Sequence, residues 1–378
     1  MDTANVVIIG GGVVGCAIAR AVSNRWDDVF LLEQMPKLGM GASSRNSGVV
    51  HSGLYYPPGS LKARHCVAGN RLTYEFCAAH NVPHRRTGKL VVATSAEEEA
   101  KLAGLLECGR ANGVEGLRII GRAAIHAREP HIAGLAALEV PSAGVVASEE
   151  LVKAYARVAG EQGASILTHA RVKRLEPRKD SIAVGIEVGD LRESERLTEE
   201  SVEVRCVVNA AGLYADEVAA LLGNTRYRIY PVRGEYCEVV RAKAYLVNAL
   251  VYPLPHPEGL TLGVHLTKTL WDTVLVGPTA HYVAEKGDYE HDRLPVEEFA
   301  RLGKRLLPEL EAADLTPAYS GLRAKLLPPG ATGPVDFVIT RDPNHPRAIH
   351  LVGIDSPGLT AAPSIAEQVA GMLAEMLD

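Results

Sequence analysis

The apolar pattern changes period twice within VVIIGGGVVGCAIARAVSNRWDDVFLLEQ, residues 6–34. Val6 to Ile9 form an unbroken β-branched run, which suits a strand buried on both faces. Val13, Val14, Ile18 and Val22 then recur at helical spacing, and an apolar strand closes at Glu33. Strand, tight turn, helix and strand predict one βαβ unit. Further on, TGKLVVATSAEEEAKLAGLLECGRANGV reads as a strand ending near Ala93. A capping box of Ser95 and Glu98 then opens an amphipathic helix that Gly113 terminates. Ser148 starts another helix, with Glu149 and Glu150 in its first turn, and the chain returns through a strand near Ile166.

VEVRCVVNAAGLYADEVAALLG is a further buried strand, glycine turn and helix, and AIHLVGIDSPGLTAAPSIAEQVAGMLAEML repeats that order at the end. Residues 227–285 instead alternate short apolar strands with Pro and Gly turns, the mark of a mostly antiparallel sheet. Parallel-sheet segments therefore bracket antiparallel ones, and each of two domains is threaded by more than one stretch. At 378 residues the chain exceeds the usual size of one domain, in keeping with that division.

Charge narrows the function classes. A net charge of -5 and a pI of about 6.2 leave no basic excess for nucleic acid or an anionic membrane surface. Cys16, Cys66, Cys77, Cys108, Cys206 and Cys237 are scattered without C-x-x-C spacing, so buried free thiols are expected and no metal centre. The opening residues lack a basic n-region, and glycines and Arg20 break their apolar run. Neither a signal peptide nor a membrane span fits, and a reduced, cytoplasmic enzyme is the expectation.

Gly10-x-Gly12-x-x-Gly15 follows a strand and opens a helix, with Glu33 at the end of the next strand. That is the dinucleotide fingerprint in its full context: Gly10 for the turn, Gly12 for approach of the pyrophosphate, Gly15 for close packing, and Glu33 for a ribose diol. NAD and FAD share the ADP half, so the fingerprint alone leaves both open. GASSRNSGVVHSGLYYPPGSLKA, residues 41–63, favours FAD. Ser43, Ser44, Arg45, Asn46 and Ser47 offer hydroxyls, N–H groups and a cation to phosphates and ribityl oxygens without an acid to repel them. His51 then arrives where the redox ring belongs.

These residues resemble the FAD-dependent D-amino-acid oxidase and glycine oxidase superfamily. Within it, NSGVVHSGLYYPPGSLKA, TGKLVVATS, AAGLYAD, VRGEY, VYPLP, LGVHLT, SGLRAKL and GIDSPGLT resemble the L-2-hydroxyglutarate dehydrogenases and oxidases, in order through nearly the whole chain. The resemblance implies an α/β fold with a Rossmann-like FAD-binding domain, carrying a parallel sheet, over 1–85, 145–225 and 320–378. It places a substrate domain with a mostly antiparallel sheet flanked by helices over 86–144 and 226–319. It also implies one FAD per chain, oxidation of L-2-hydroxyglutarate, or a close 2-hydroxy diacid, to the 2-oxo acid with hydride passing from C2 to flavin N5, and electrons leaving to a quinone or oxygen; peripheral contact at the inner face of a membrane stays open beside the cytoplasmic expectation. Val13, Val14, Gln34, Val172, Ala210, Ala211, Gly212, Gly358, Leu359 and Thr360 join the expected cofactor contacts. Many relatives carry Asp where this chain has Ala147, at a helix start, so the change is read as structural.

Oxidising an α-hydroxy acid calls for a base and for cations to hold carboxylates. His51 is the first candidate base, with two other readings open: a flavin contact or the point of a covalent flavin link. His265, on an alternating strand, is the second candidate base or else a structural histidine. The resemblance gives Arg323 the α-carboxylate, which a guanidinium grips as a planar fork. Arg233, Lys62 and Lys268 are candidates for the second carboxylate, and Tyr55 and Tyr56 for closing the pocket. An amine oxidase on the same scaffold and a non-catalytic flavin-binding redox partner are the rival functions.

Overall fold

The computed structural model describes residues 2–190, 197–255 and 262–378. Part of the 227–285 reading thus lies outside the described residues. Among those described, the strands form sheets of eight, nine and three. In the first, five strands run parallel in the order Ser165–Leu167, Val29–Leu32, Asp2–Ile9, Thr198–Asn209 and Ala348–Val352. The hairpin Ala170–Pro177 and Ile182–Val188 extends the sheet along the first half of Thr198–Asn209, and Val338–Arg341 runs antiparallel to Ala348–Val352.

The Val13–Ser23, Leu61–Ala79, Ser148–Glu161 and Gly358–Leu377 helices bury their apolar faces on one side of this sheet, in a core that includes Ile8, Ile18, Leu31, Tyr155 and Ile365. Close packing is set by small residues. A Cβ on Gly15 would overlap the Gly10 carbonyl oxygen, and one on Gly69 would overlap that of Thr360, so neither helix could sit so near with a larger residue there. Gly10 itself adopts φ +108°, a conformation that favours glycine.

The nine-stranded sheet is mixed but mainly antiparallel. Its central strands are Ala136–Val140, Lys89–Ala93, Leu250–Pro253, His265–Lys268 and Val274–Gly277, with only the Lys89–Ala93 and Leu250–Pro253 pair parallel. Tyr230–Val239 follows, pairing with Leu315–Lys325 so that Arg323 lies opposite Val232. Val49–Val50, Gly144–Val146 and His84–Arg85 make the small sheet, and it delivers His51.

The expected helix after Ser95 spans Ala96–Ala111, but only half of the box forms. Ser95 Oγ accepts from Glu98 N–H (3.3 Å), whereas the Glu98 carboxylate takes the N–H and hydroxyl of Thr94 at 2.8 and 2.9 Å. Thr94 offers two donors to one oxygen where Ser95 offers one. The helix from Ser148 begins as expected, with Ala147 as an extended N-cap and no side-chain cap bond.

Candidate active site

A cavity of about 1040 Å³ opens at the carboxyl ends of the parallel strands and reaches the nine-stranded sheet. That is the crevice where open α/β sheets bind ligands, and it is large for a small acid alone. Gly10, Gly12, Val13, Val14, Glu33, Gln34, Ser43, Arg45, Asn46, Ser47, Ala210, Ala211 and Gly212 line it, as do His51, Tyr55, Tyr56, Lys62, His265, Arg323, Gly358 and Leu359.

The glycine turn is fixed by its own backbone. Gly11 N–H donates to Glu33 Oε2 (2.7 Å) and Met35 N–H to Oε1 (2.8 Å). Burial raises the Glu33 pKa, and these N–H bonds pull against it. Each carboxylate oxygen keeps a lone pair for a ribose hydroxyl. Ser43 Oγ accepts from Val13 N–H (2.9 Å), and Asn46 ties its own loop by donating to the Ala42 and Ser43 carbonyls while accepting from Gly48 N–H. A Cβ on Gly12 would sit 3.2 Å from Ser43 Oγ, filling the space beside the N-terminus of the Val13–Ser23 helix. A helix N-terminus that faces the cavity, a glycine cradle and an acid with lone pairs to spare fit the ADP half of FAD.

His51 follows the Val49–Val50 strand. Its N–H donates to Thr360 Oγ1 (2.9 Å), its carbonyl accepts from Asn70 Nδ2 (2.8 Å), and Nε2 is 3.4 Å from Ser356 Oγ. Nδ1 is buried with no partner among the described residues. Burial, reinforced by the nearby Lys89 charge, lowers the imidazole pKa to about 3, so the ring is neutral. His265 is neutral for the same first reason, and its Nδ1 lies 2.9 Å from the Gly263 carbonyl. That bond puts the proton on Nδ1 and leaves Nε2 as an acceptor. Arg323 Nη1 donates to the Thr279 carbonyl (3.3 Å), and its guanidinium occupies the space that a Cβ on Gly234 would need. Two neutral imidazoles, a fork-shaped cation and the N-terminus of the 20-residue helix Gly358–Leu377 thus share one cavity with the glycine turn.

The FAD dependent oxidoreductase family model, DAO, matches residues 5–372. The chain is 35% identical to the mitochondrial L-2-hydroxyglutarate dehydrogenase of Arabidopsis thaliana, over 98% of this chain and 83% of that one. It is 31% identical to the L-2-hydroxyglutarate dehydrogenase of Escherichia coli strain K12, over 98% and 93%. The chain belongs to this family of FAD-dependent oxidoreductases. Among solved structures it is similar to the dithionite-reduced L-alpha-glycerophosphate oxidase of Mycoplasma pneumoniae with FAD bound. The TM-score is 0.88 at 27% identity, covering 99% of this chain and 95% of that one.

Six expected site residues stand outside the flavoenzyme's main cavity. Gly15 packs against Gly10, and Ser44 Oγ donates to the Gly41 carbonyl (3.5 Å). Val172 lines a smaller cavity of about 230 Å³ that shares Gly10, Glu33, Gln34 and Ala211 with the main one. Thr360 is fully buried and holds the His51 backbone from behind. Arg233 is buried and committed, to Glu235 Oε1 at 3.0 Å, Asp288 Oδ1 at 2.9 Å and the Asp292 carbonyl at 3.1 Å. Lys268 donates to the Ala244 carbonyl (2.6 Å). Lys62 does line the main cavity, but it shares Asp355 with Lys325, each at 2.7 Å. Arg45 also lines it, with its guanidinium 4.3 Å from the Tyr289 ring centroid and 3.5 Å from the Ser320 carbonyl.

Sequence reasoning passed over Tyr252, Asp355 and Lys89. Asp355 is the acid that answers Lys62 and Lys325; burial raises its pKa, and the two ammonium groups outweigh that and leave it lowered. Lys89 stands at the head of the apolar run LVVA, and a lysine there is a signal in itself.

Proposed function

We propose that the chain oxidises L-2-hydroxyglutarate to 2-oxoglutarate. The observation that carries this is the joint placement of Arg323, the neutral histidines His51 and His265, and the glycine turn around one cavity, in a chain that matches L-2-hydroxyglutarate dehydrogenases over nearly its whole length. FAD, when bound, takes up the hydrogen and the electron pair from C2.

The remaining work falls to the chain's own residues. Arg323 holds the C1 carboxylate by its two parallel N–H donors, which orients C2 as a point charge would not. His51 takes the hydroxyl proton on an unprotonated ring nitrogen, and His265 Nε2 is the second acceptor in reach of the same cavity. The N–H groups at the start of Gly358–Leu377 favour negative charge near them. The electron acceptor is a quinone or oxygen. A quinone would draw the chain to the inner face of a membrane, and no described helix is long and apolar enough to cross one.

The test is anaerobic titration of the purified yellow protein with 2-hydroxy and 2-amino acids. L-2-hydroxyglutarate bleaches the flavin, while its D-enantiomer and L-lactate do so poorly. Bleaching by glycine or sarcosine but not by hydroxy acids would make this an amine oxidase, and no bleaching at all a flavin-binding redox partner. Readmitting oxygen or adding a soluble quinone then identifies the acceptor.

A further inference from the structure

Lys89 is a buried charge without a counter-ion among the described residues. It heads the Lys89–Ala93 strand between Leu250 and Val140, and none of its surface is exposed. Nζ lies 4.5 Å from the Tyr55 ring centroid and 4.7 Å from that of Tyr252, with no hydrogen-bond partner among the described residues. Cation–π attraction offsets part of the cost of burying an ammonium, but two neutral rings supply no opposite charge. Both rings line the cavity, and the Tyr55 hydroxyl is itself buried and has no partner among the described residues. The cations expected to meet the substrate's second carboxylate are engaged elsewhere: Arg233 by two carboxylates, Lys62 by Asp355 and Lys268 by a carbonyl.

We propose that Lys89 is the positioning residue for the remote carboxylate of the substrate: the carboxylate accepts a hydrogen bond from the Tyr55 hydroxyl, and the ammonium behind the Tyr55 and Tyr252 rings supplies the counter-charge. The inference rests on the diacid reading above and names the group that selects the second carboxylate. Arg323 and Lys89 then give the cavity one cation for each end of a diacid.

The charge is also adjustable. Burial brings the Lys89 ammonium down to about 7. It is charged below that pH, so a diacid binds best on the acid side and more weakly as pH rises through 7. His51 and His265 lie below this window, while burial pushes Cys66, Tyr55 and Tyr252 above it.

The experiment uses the holoenzyme and two unreactive acids, glutarate and butyrate, whose dissociation constants are read from perturbation of the flavin spectrum. Wild type is expected to prefer glutarate by about 30-fold or more, the lower end for loss of a desolvated charge contact. In Lys89→Met the preference shrinks to within about threefold while butyrate binding holds. A preference that survives the substitution overturns the proposal, as does equal loss for both acids or no preference in wild type. Where the variant fails to hold FAD, the wild-type profile decides: glutarate affinity falls by up to about tenfold per pH unit between pH 7 and 9 with butyrate flat, and parallel profiles overturn the idea. The substrate reading fails separately, if glutarate is preferred and L-2-hydroxyglutarate still leaves the flavin oxidised.

Discussion

The two ends of the cavity are built on different principles. At the nucleotide end the working groups are mostly backbone: a glycine turn, a helix N-terminus, and Glu33 gripped by the N–H groups of Gly11 and Met35. At the acid end they are side chains carried by distant strands and loops, and several have atoms without a partner among the described residues, His51 Nδ1, Tyr55 OH and Lys89 Nζ included. The first kind of site fails when an atom is added. The second fails when one is removed, and it loses rate or selectivity before it loses fold.

Adding atoms to Gly15 gives the largest expected effect. Any Cβ there overlaps the Gly10 carbonyl oxygen, so Gly15→Val must displace either the helix or the turn. Overpacking of this kind costs about 3 kcal/mol or more, and the variant should purify colourless or not at all. A yellow variant with wild-type absorbance and thermal midpoint would show that the nucleotide end is not backbone-limited.

Arg233→Met sharpens the comparison within the antiparallel sheet. It takes one guanidinium from Glu235, which keeps Arg293 at 3.8 Å, and removes the guanidinium that the partly buried Asp288 pairs with, a loss of about 3 kcal/mol, the lower end for a broken buried pair. Denaturant unfolding should register that loss, while the folded protein reduces its flavin at the wild-type rate because Arg233 lies off the main cavity. A raised KM for the diacid at unchanged stability would return Arg233 to the substrate site.

His51→Ala reverses that signature. FAD and stability should persist, and flavin reduction at saturating substrate should slow by roughly 10²- to 10⁴-fold, the usual share of general acid–base catalysis. The wild-type imidazole stays neutral down to about pH 3, so the rate should not fall as pH drops through the ordinary histidine value of 6.5. Sign matters for stability as well. The unfolded histidine binds its proton near 6.5 and the folded one only near 3, so stability declines as pH falls between those values. Unchanged reduction in the variant would pass the role to His265, and loss of FAD would make His51 a cofactor contact.

The same contrast explains what could be read in advance. The glycine spacing, Glu33 and the helix starts at Ser95 and Ser148 are local patterns, and local patterns survive in a string of letters. The acid end depends on pairings between remote strands, as when Lys89 meets Leu250, or on a loop such as that of Asp355 arriving beside Lys62 and Lys325. Arg233 and Arg323 both sit in short glycine-containing strand motifs, and the resemblance alone could not rank Arg233 against the lysines. One clue was available: Glu235 is two residues on, and in a strand that puts both side chains on one face. Lys89 offered a similar clue, a charge opening a run of four apolar residues with no acid near it in sequence.

Ala147→Asp is the smallest expected effect and probes the join between the two kinds of site. Ala147 is an extended N-cap with no side chain to accept from the first turn of Ser148–Glu161, and aspartate is among the best residues for that task. A new cap is worth about 1 kcal/mol, less some repulsion from Glu149 and Glu150 already in that turn. The thermal midpoint should rise by about 1–2 °C, with flavin reduction unchanged. Position 147 directly follows Val146, whose N–H donates to the Gly48 carbonyl (2.8 Å) beside the strand pair that leads to His51. If the variant is stabilised but its flavin reduction changes, the cap position acts on the base through Val49–Val50, and its residue is a functional choice. If rate is constant and stability rises, alanine here is a structural variation that the site does not feel.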